Sequence, residues 1–225
     1  MNTIKRLLPL LALALAAPVI AAPRAWVSVV TPTAKGGFVI GNPAAKVKLV
    51  EYASYTCPHC GHFARESAAE LKGRMIASGS LSLEIHSIVR DRYDLVATML
   101  AHCAGPAVFP KLHEALFAGQ EQWLQRAVDY DAANVQRLNL YSAPVQYRMM
   151  AQGTGLDAIA RDSGMTQAAI DQCLADPKMA DAVIQRSAAI GDRIAGTPAF
   201  EINGKLVQGV GWAELKPKLV AAGAK

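Results

Sequence analysis

No internal repeat and no low-complexity tract runs through the mature part of this 225-residue chain, which sets aside solenoids, fibres and disordered arrays. Long apolar runs are equally scarce. The one that exists, LLPLLALALAAPVIAA at residues 7–22, is too short and too broken by proline for a good spanning helix, and no later segment is apolar enough to cross a membrane. Placed behind Lys5 and Arg6, with Val19, Ile20 and Ala21 at the cleavage positions, it has the form of an export signal over residues 1–21. No cysteine follows the expected cut, so a lipid anchor is not indicated. Excess charge is missing as well: losing Lys5 and Arg6 takes the formal net charge from +5 to +3, and the basic residues are scattered. That leaves no footprint for nucleic acid. About 200 residues remain, 52% of the chain being hydrophobic, which is enough for one well-cored domain with room for an insertion.

Short strands are expected at Ala25 to Val30 and Phe38 to Ile40, around a turn containing Gly36 and Gly37. The segment VKLVEYA, Val47 to Ala53, is mostly apolar on both faces, as suits a central strand covered by helices. From Cys57 the period turns helical: Cys60, Phe63, Ala64, Ser67, Ala68, Leu71 and Met75 share one face, and Gly79 marks the stop. Pro58 falls in the first turn, where a missing N–H costs least. Leu81 to Val89 reads as a second strand, completing a unit of the βαβ kind. Beyond it the patterns are helical, with breaks at Gly105 and Pro106, Gly153 to Gly155, Gly164 and Pro177. Pro198 to Ile202, Asn203-Gly204, and Leu206 with Val207 read as a hairpin around the strongest short turn signal. A last helix spans Trp212 to Ala222, where Pro217 requires a bend or a late start. The strands at the two ends thus predict one sheet formed by residues 22–92 and 194–225, with a helical subdomain, 93–193, inserted between them.

The chemistry concentrates in Tyr55-Thr56-Cys57-Pro58-His59-Cys60-Gly61. Covalent haem attachment needs histidine directly after the second cysteine, and Gly61 stands there. Structural zinc needs a second ligand pair, whereas Cys103 and Cys173 are isolated and His59, lying between the cysteines, could hardly reach the same ion. A loop this small constrains the unfolded chain too little to serve as a staple. A redox pair at the mouth of a helix is the reading that survives. Cys57 falls at the N-cap, where unpaired N–H groups and the helix dipole favour a thiolate with a pKa in the range of roughly 3.5 to 7.5. Cys60, one turn in, points to the core as the resolving partner.

These residues, together with the Val50-Glu51-Tyr52 strand before them, the large helical insertion and Gly196-Thr197-Pro198 ahead of the hairpin, resemble the DsbA-like thiol:disulfide oxidoreductases of the thioredoxin superfamily. Among these the chain is most similar to periplasmic forms with two cysteine pairs. The resemblance implies a thioredoxin fold with an inserted helical subdomain, Cys57 as nucleophile, Cys60 as resolving cysteine and Pro198 as a cis-proline facing them. Pro58 and Thr197, with Pro198, would then meet the substrate. It further implies a periplasmic enzyme that introduces disulfides into exported proteins and is reoxidised by a DsbB-like, quinone-linked membrane protein, with no metal or small cofactor. Thr197 departs from the valine usual in strong oxidases and resembles the isomerase branch, so isomerase or reductase activity stays open. A peptide-binding chaperone with a structural disulfide is the alternative outside the enzymes.

Four cysteines allow three pairings, and joining Cys57 to Cys60 leaves Cys103 with Cys173 as a structural disulfide, the alternative being two buried free thiols. The ring of His59 is placed to stabilise the Cys57 thiolate. His62 reads as surface, and His86, His102 and His113 as structural histidines. Glu51, on an apolar strand six residues before Cys57, is expected beneath the pair, where an unpartnered carboxyl shifts toward neutrality and exchanges a proton with Cys60. A strand-end surface charge is the competing reading. Trp123, Tyr141, Tyr147, Met149 and Met150 read as packing.

Overall fold

A computed structural model describes residues 25–225. The expected export signal, residues 1–21, lies outside the described residues. Val47–Ala53 forms β3, and its register shows why an almost wholly apolar strand belongs there: Leu81–Ser87, as β4, pairs with it in parallel, while Ala199–Ile202, as β5, pairs antiparallel on its other edge. With β1 (Val30–Pro32), β2 (Phe38–Gly41) and β6 (Lys205–Gln208), the sheet runs β1-β2-β4-β3-β5-β6. Alternation along β3 sends Val47, Leu49 and Glu51 to one face and Lys48, Val50 and Tyr52 to the other. Ile85 and Phe200 lie beside Glu51 in the register, so the one carboxyl on that face of β3 stands among apolar neighbours.

Residues Pro58–Glu70 form α1, which widens into a π-helical turn at Leu71–Ile76 before Gly79 reverses the chain at φ +74°. Of the face expected to be buried, Cys60, Phe63, Ser67, Leu71 and Met75 are buried and Ala64 is partly so, but Ala68 is exposed. Phe63 packs on Phe200 of β5 at 4.7 Å and on Trp212 at 6.1 Å, fixing α1 over the centre of the sheet.

Seven helices separate β4 from β5: α2 (Arg92–Cys103), α3 (Gly105–Ala118), α4 (Gln120–Leu138), α5 (Ala143–Thr154), α6 (Leu156–Ser163), α7 (Gln167–Ala175) and α8 (Pro177–Gly191). Strands from the two ends of the chain thus share one sheet around a helical insertion. Cys103, ending α2, is bonded to Cys173 of α7, with 6.0 Å between the Cα atoms. Trp123 is fully buried and donates its indole N–H to the Leu116 carbonyl at 2.8 Å, and Met150 is buried too, whereas Tyr141 is exposed. The hairpin turns on Asn203 and Gly204, both at positive φ (50° and 81°), as the Asn-Gly pair demands.

Two local expectations need correction. The strand expected from Ala25 is a 3₁₀ turn at Trp26–Ser28, and pairing begins only at Val30. The cause is tertiary: the Trp26 indole lies over Gly79, where a Cβ would come within 2.6 Å of its nitrogen. The break expected over Gly153 to Gly155 occurs at Gly155 alone, at φ +77°, while Gly153 continues α5 with the Tyr130 ring in the space a side chain would need. The final helix, α9 (Trp212–Ala222), has the expected bounds, with Pro217 inside it. Trp212, Leu215 and Leu219 are buried on either side of it, and Glu214 caps the Gly211 N–H at 3.0 Å, so packing and capping outweigh one missing hydrogen bond.

The Cys103–Cys173 bond spans 70 residues, and in the chain-entropy description such a link stabilises by roughly 4 kcal/mol before strain is subtracted. Replacing both cysteines by alanine should lower unfolding stability in urea by roughly 2–4 kcal/mol, measured in a background where Cys57 and Cys60 are serines. An unchanged midpoint would show that helix packing alone holds α2 to α7.

Candidate active site

The end of β3 delivers the chain through Ser54, Tyr55 and Thr56 to Cys57, the N-cap of α1, with Pro58 as its first residue. The Cys57 carbonyl accepts from the Cys60 and Gly61 N–H groups at 3.1 and 3.2 Å, starting the helix directly under its own side chain. Both cysteines of the pair are free thiols, Cys57 3% exposed and Cys60 fully buried. Across from them the Thr197–Pro198 peptide bond is cis, and the Cys57 thiol donates to the Thr197 carbonyl at 3.1 Å.

The two sulfurs are driven apart in acidity. A hydrogen bond donated by the Cys60 thiol is the largest influence on Cys57; burial opposes it, and the Thr197 side chain and the backbone N–H groups of Cys60 and His59 add to it. Together they bring Cys57 down to about 5 from an ordinary thiol value near 9. Cys60 moves far the other way, first because it donates to Cys57 and then because it is buried, with Glu51 adding in the same direction. One sulfur is thus a stable thiolate and the other a reluctant one. That is the division of labour a nucleophile and its resolving partner require.

Glu51 is buried beneath the pair, 3% exposed, and among the described residues no hydrogen bond or ion pair reaches it. Burial alone pushes its carboxyl up to about 8, so it is a neutral acid at pH 7. It borders a cavity of about 290 Å³ between α1 and α3, walled by Ile40, Phe63, Leu83, Ile85 and Phe117. Lys72 borders the same cavity but is paired with Glu114. The surface-charge reading of Glu51 is therefore wrong, because the strand end that carries it is covered by helices.

The backbone N–H of His59 favours the Cys57 thiolate, and its ring is exposed beside the groove formed with Pro58, Ile194, Gly196 and Thr197. His62 pairs with Glu66 at 3.2 Å on the surface. His86 sits 2.7 Å from Glu84, and His113 hydrogen-bonds the Tyr55 hydroxyl at 3.0 Å, burial lowering its pKa to about 4. His102 is lowered to about 4 by burial as well. Among the described residues no three His, Cys, Asp or Glu side chains gather as metal ligands, and no helix is long and apolar enough to cross a membrane.

Two residues at the site were not anticipated. Asp94, fully buried, accepts from the Tyr55 N–H at 2.9 Å and the Ser54 hydroxyl at 2.5 Å, and burial raises its pKa to about 7. Gln120, 2% exposed, donates to the carbonyls of Tyr55 and Cys57 at 2.8 and 2.9 Å. Neither left a signal in the sequence, since Asp94 looks like an ordinary first-turn acid and Gln120 like the polar start of a helix.

A family model described as thioredoxin matches residues 33–219. The chain belongs to the thioredoxin family. A solved structure described as a protein-disulfide isomerase from Novosphingobium aromaticivorans is 34% identical, with a TM-score of 0.75 over 83% of this chain and 96% of that one. Wolbachia pipientis alpha-DsbA1, 22% identical, shares the fold with a TM-score of 0.66 over 85% of this chain and 92% of its own. A Rickettsia bellii protein named as a candidate protein-disulfide oxidoreductase is 28% identical over 169 residues, 74% of this chain and 56% of that protein. A Rickettsia conorii protein of similar name is also 28% identical, with 53% of it covered. The thioredoxin-family chain therefore spans about half the length of the curated relatives it matches.

Two titrations follow from these environments. The ultraviolet absorbance of the reduced protein should show a thiolate appearing with a midpoint near pH 5 that is missing from Cys57→Ser; a midpoint above 8 would refute the stabilised thiolate. Because this pKa falls on folding, the stability it adds to the reduced form is complete only above the unfolded value and is lost as pH falls through about 5. Glu51 acts oppositely: its folded pKa is raised, so it costs stability progressively between about 4.5 and about 8. Glu51→Gln should thus be more stable than the parent at pH 8, with the difference growing by at most about 1.4 kcal/mol per pH unit across that window. Equal pH dependence in the two proteins would mean that Glu51 is solvated.

Proposed function

We propose that the chain is a periplasmic thiol:disulfide oxidoreductase that introduces disulfide bonds into exported proteins. The observation that carries this reading is the low pKa of Cys57 in contact with the Thr197–Pro198 segment, with a buried Cys60 behind it. In the oxidised enzyme a client thiolate attacks the Cys57 sulfur, a new sulfur–sulfur bond forms and the Cys57–Cys60 bond breaks. Cys60 leaves as a thiolate and takes the proton of the neutral Glu51 acid. A second client thiolate then attacks the client's own sulfur in the mixed disulfide. Cys57 departs as the better leaving group, the client is oxidised by two electrons and the enzyme is left reduced.

The groove beside the pair, lined by His59, Phe63, Gly196, Thr197, Pro198 and Val210, is where an extended client segment would lie. Export, reduced client proteins and reoxidation by a DsbB-like, quinone-linked membrane protein complete the reading, on the strength of the export-signal pattern at residues 1–21 and the family resemblance. Isomerase activity is the second reading. It is favoured by Thr197 and by the likeness to a structure described as a protein-disulfide isomerase.

Cys57→Ser should abolish oxidation of a dithiol peptide, and Cys60→Ser should accumulate client mixed disulfides through Cys57; a fully active serine variant at position 57 would end the assignment. Thr197→Val removes a hydroxyl that favours the thiolate while nearly keeping side-chain shape. It should raise the Cys57 pKa and slow dithiol oxidation relative to repair of scrambled disulfides. If the pKa and both rates stay as they were, Thr197 is a turn residue and no more.

A further inference from the structure

The peptide groups that lead into Cys57 are gripped from outside the sheet. Tyr55 is held at both ends of its backbone: its N–H goes to Asp94 of α2 at 2.9 Å and its carbonyl to Gln120 of α4 at 2.8 Å. Asp94 also takes the Ser54 hydroxyl at 2.5 Å and the Arg90 N–H at 3.1 Å, so its carboxylate ties the end of β3 to the start of the insertion. Gln120 uses its second amide hydrogen on the Cys57 carbonyl at 2.9 Å. Its oxygen lies against α1 so closely that a Cβ on Gly61 would stand 2.0 Å from it. The peptide joining Cys57 to Pro58 has no N–H, so its plane can be held only through that carbonyl. The carbonyl is held by Gln120 and by the first N–H groups of α1.

We propose that Asp94 and Gln120 are positioning residues through which the helical insertion sets the reactivity of Cys57. The inference rests on the redox reading above. The N–H groups of His59 and Cys60 stabilise the Cys57 sulfur only while they point at it, and their direction is inherited from the peptide planes immediately before them. Two helices of the insertion, neither carrying a reacting atom, hold those planes. The insertion is on this account a part of the redox centre, and movements of α4 relative to α1 change the acidity of Cys57.

The test is the thiolate titration of reduced protein, which reads the sulfur directly and needs no client. Gln120→Met keeps the length of the side chain without its donors, and Gly61→Ala pushes the amide aside while adding a good helix former to α1. Both should raise the Cys57 pKa by about one unit, a roughly tenfold gain in proton affinity, and shift the glutathione equilibrium by a comparable factor toward the disulfide. Asp94→Asn should move both in the same direction. Thr154→Val, which removes a buried hydrogen bond to the Met150 carbonyl in α5, should lower stability and leave the pKa alone. Gln120→Met with lowered thermal stability but an unchanged pKa and glutathione equilibrium would overturn the proposal, as would Thr154→Val moving the pKa equally. Should Gln120→Met not fold, Gly61→Ala decides by the same criterion. Failure of the functional reading would look different, as absence of dithiol oxidation by the parent protein.

Discussion

A thiol sulfur placed where the first N–H groups of a helix converge is the interaction on which the rest of this molecule depends. The N-terminus of α1 offers donors that no carbonyl of the helix can satisfy, and the Cys57 side chain meets them from the N-cap. For the helix to start there, β3 must end there, and β3 is held on both edges by β4 and β5. Pro58 opens the helix without wasting a donor, and Cys60 follows one turn later at a depth where ionisation is costly. The Thr197–Pro198 segment closes the front: the Thr197 carbonyl accepts from the Cys57 thiol, and the Thr197 side chain favours the thiolate.

Acidity behind the pair is arranged by exclusion. Among the described residues Glu51 has no counter-ion, and its neutrality comes from burial among apolar side chains. A lysine partner would have turned the same carboxyl into a permanent anion unable to supply the proton that Cys60 needs on leaving. Its position on an interior strand of the sheet therefore matters more to the chemistry than its identity as an acid.

Much of this was legible in the sequence because it is local. The C-x-x-C spacing, Pro58 in the first turn and the Asn203-Gly204 hairpin each rest on backbone rules that act within a few residues, and Glu51 stood out as the one acid on an apolar strand. What was missed depends on residues far apart in the chain. The strand expected at Ala25 lost to the packing of Trp26 over Gly79, and Gly153 within α5 makes room for the distant Tyr130 ring. Asp94 and Gln120 were invisible for the same reason: a polar side chain at a helix start reveals nothing of the distant backbone it holds.

The most direct test of the account is the equilibrium of Cys57–Cys60 with glutathione at pH 7. A dithiol whose nucleophilic sulfur titrates near 7, as in thioredoxin, has a potential of about −270 mV. With Cys57 at about 5, the two additional pH units of thiolate stabilisation favour the reduced form by roughly 60 mV more. A potential near about −210 mV is therefore expected, and a value at or below about −270 mV would contradict the stabilised thiolate.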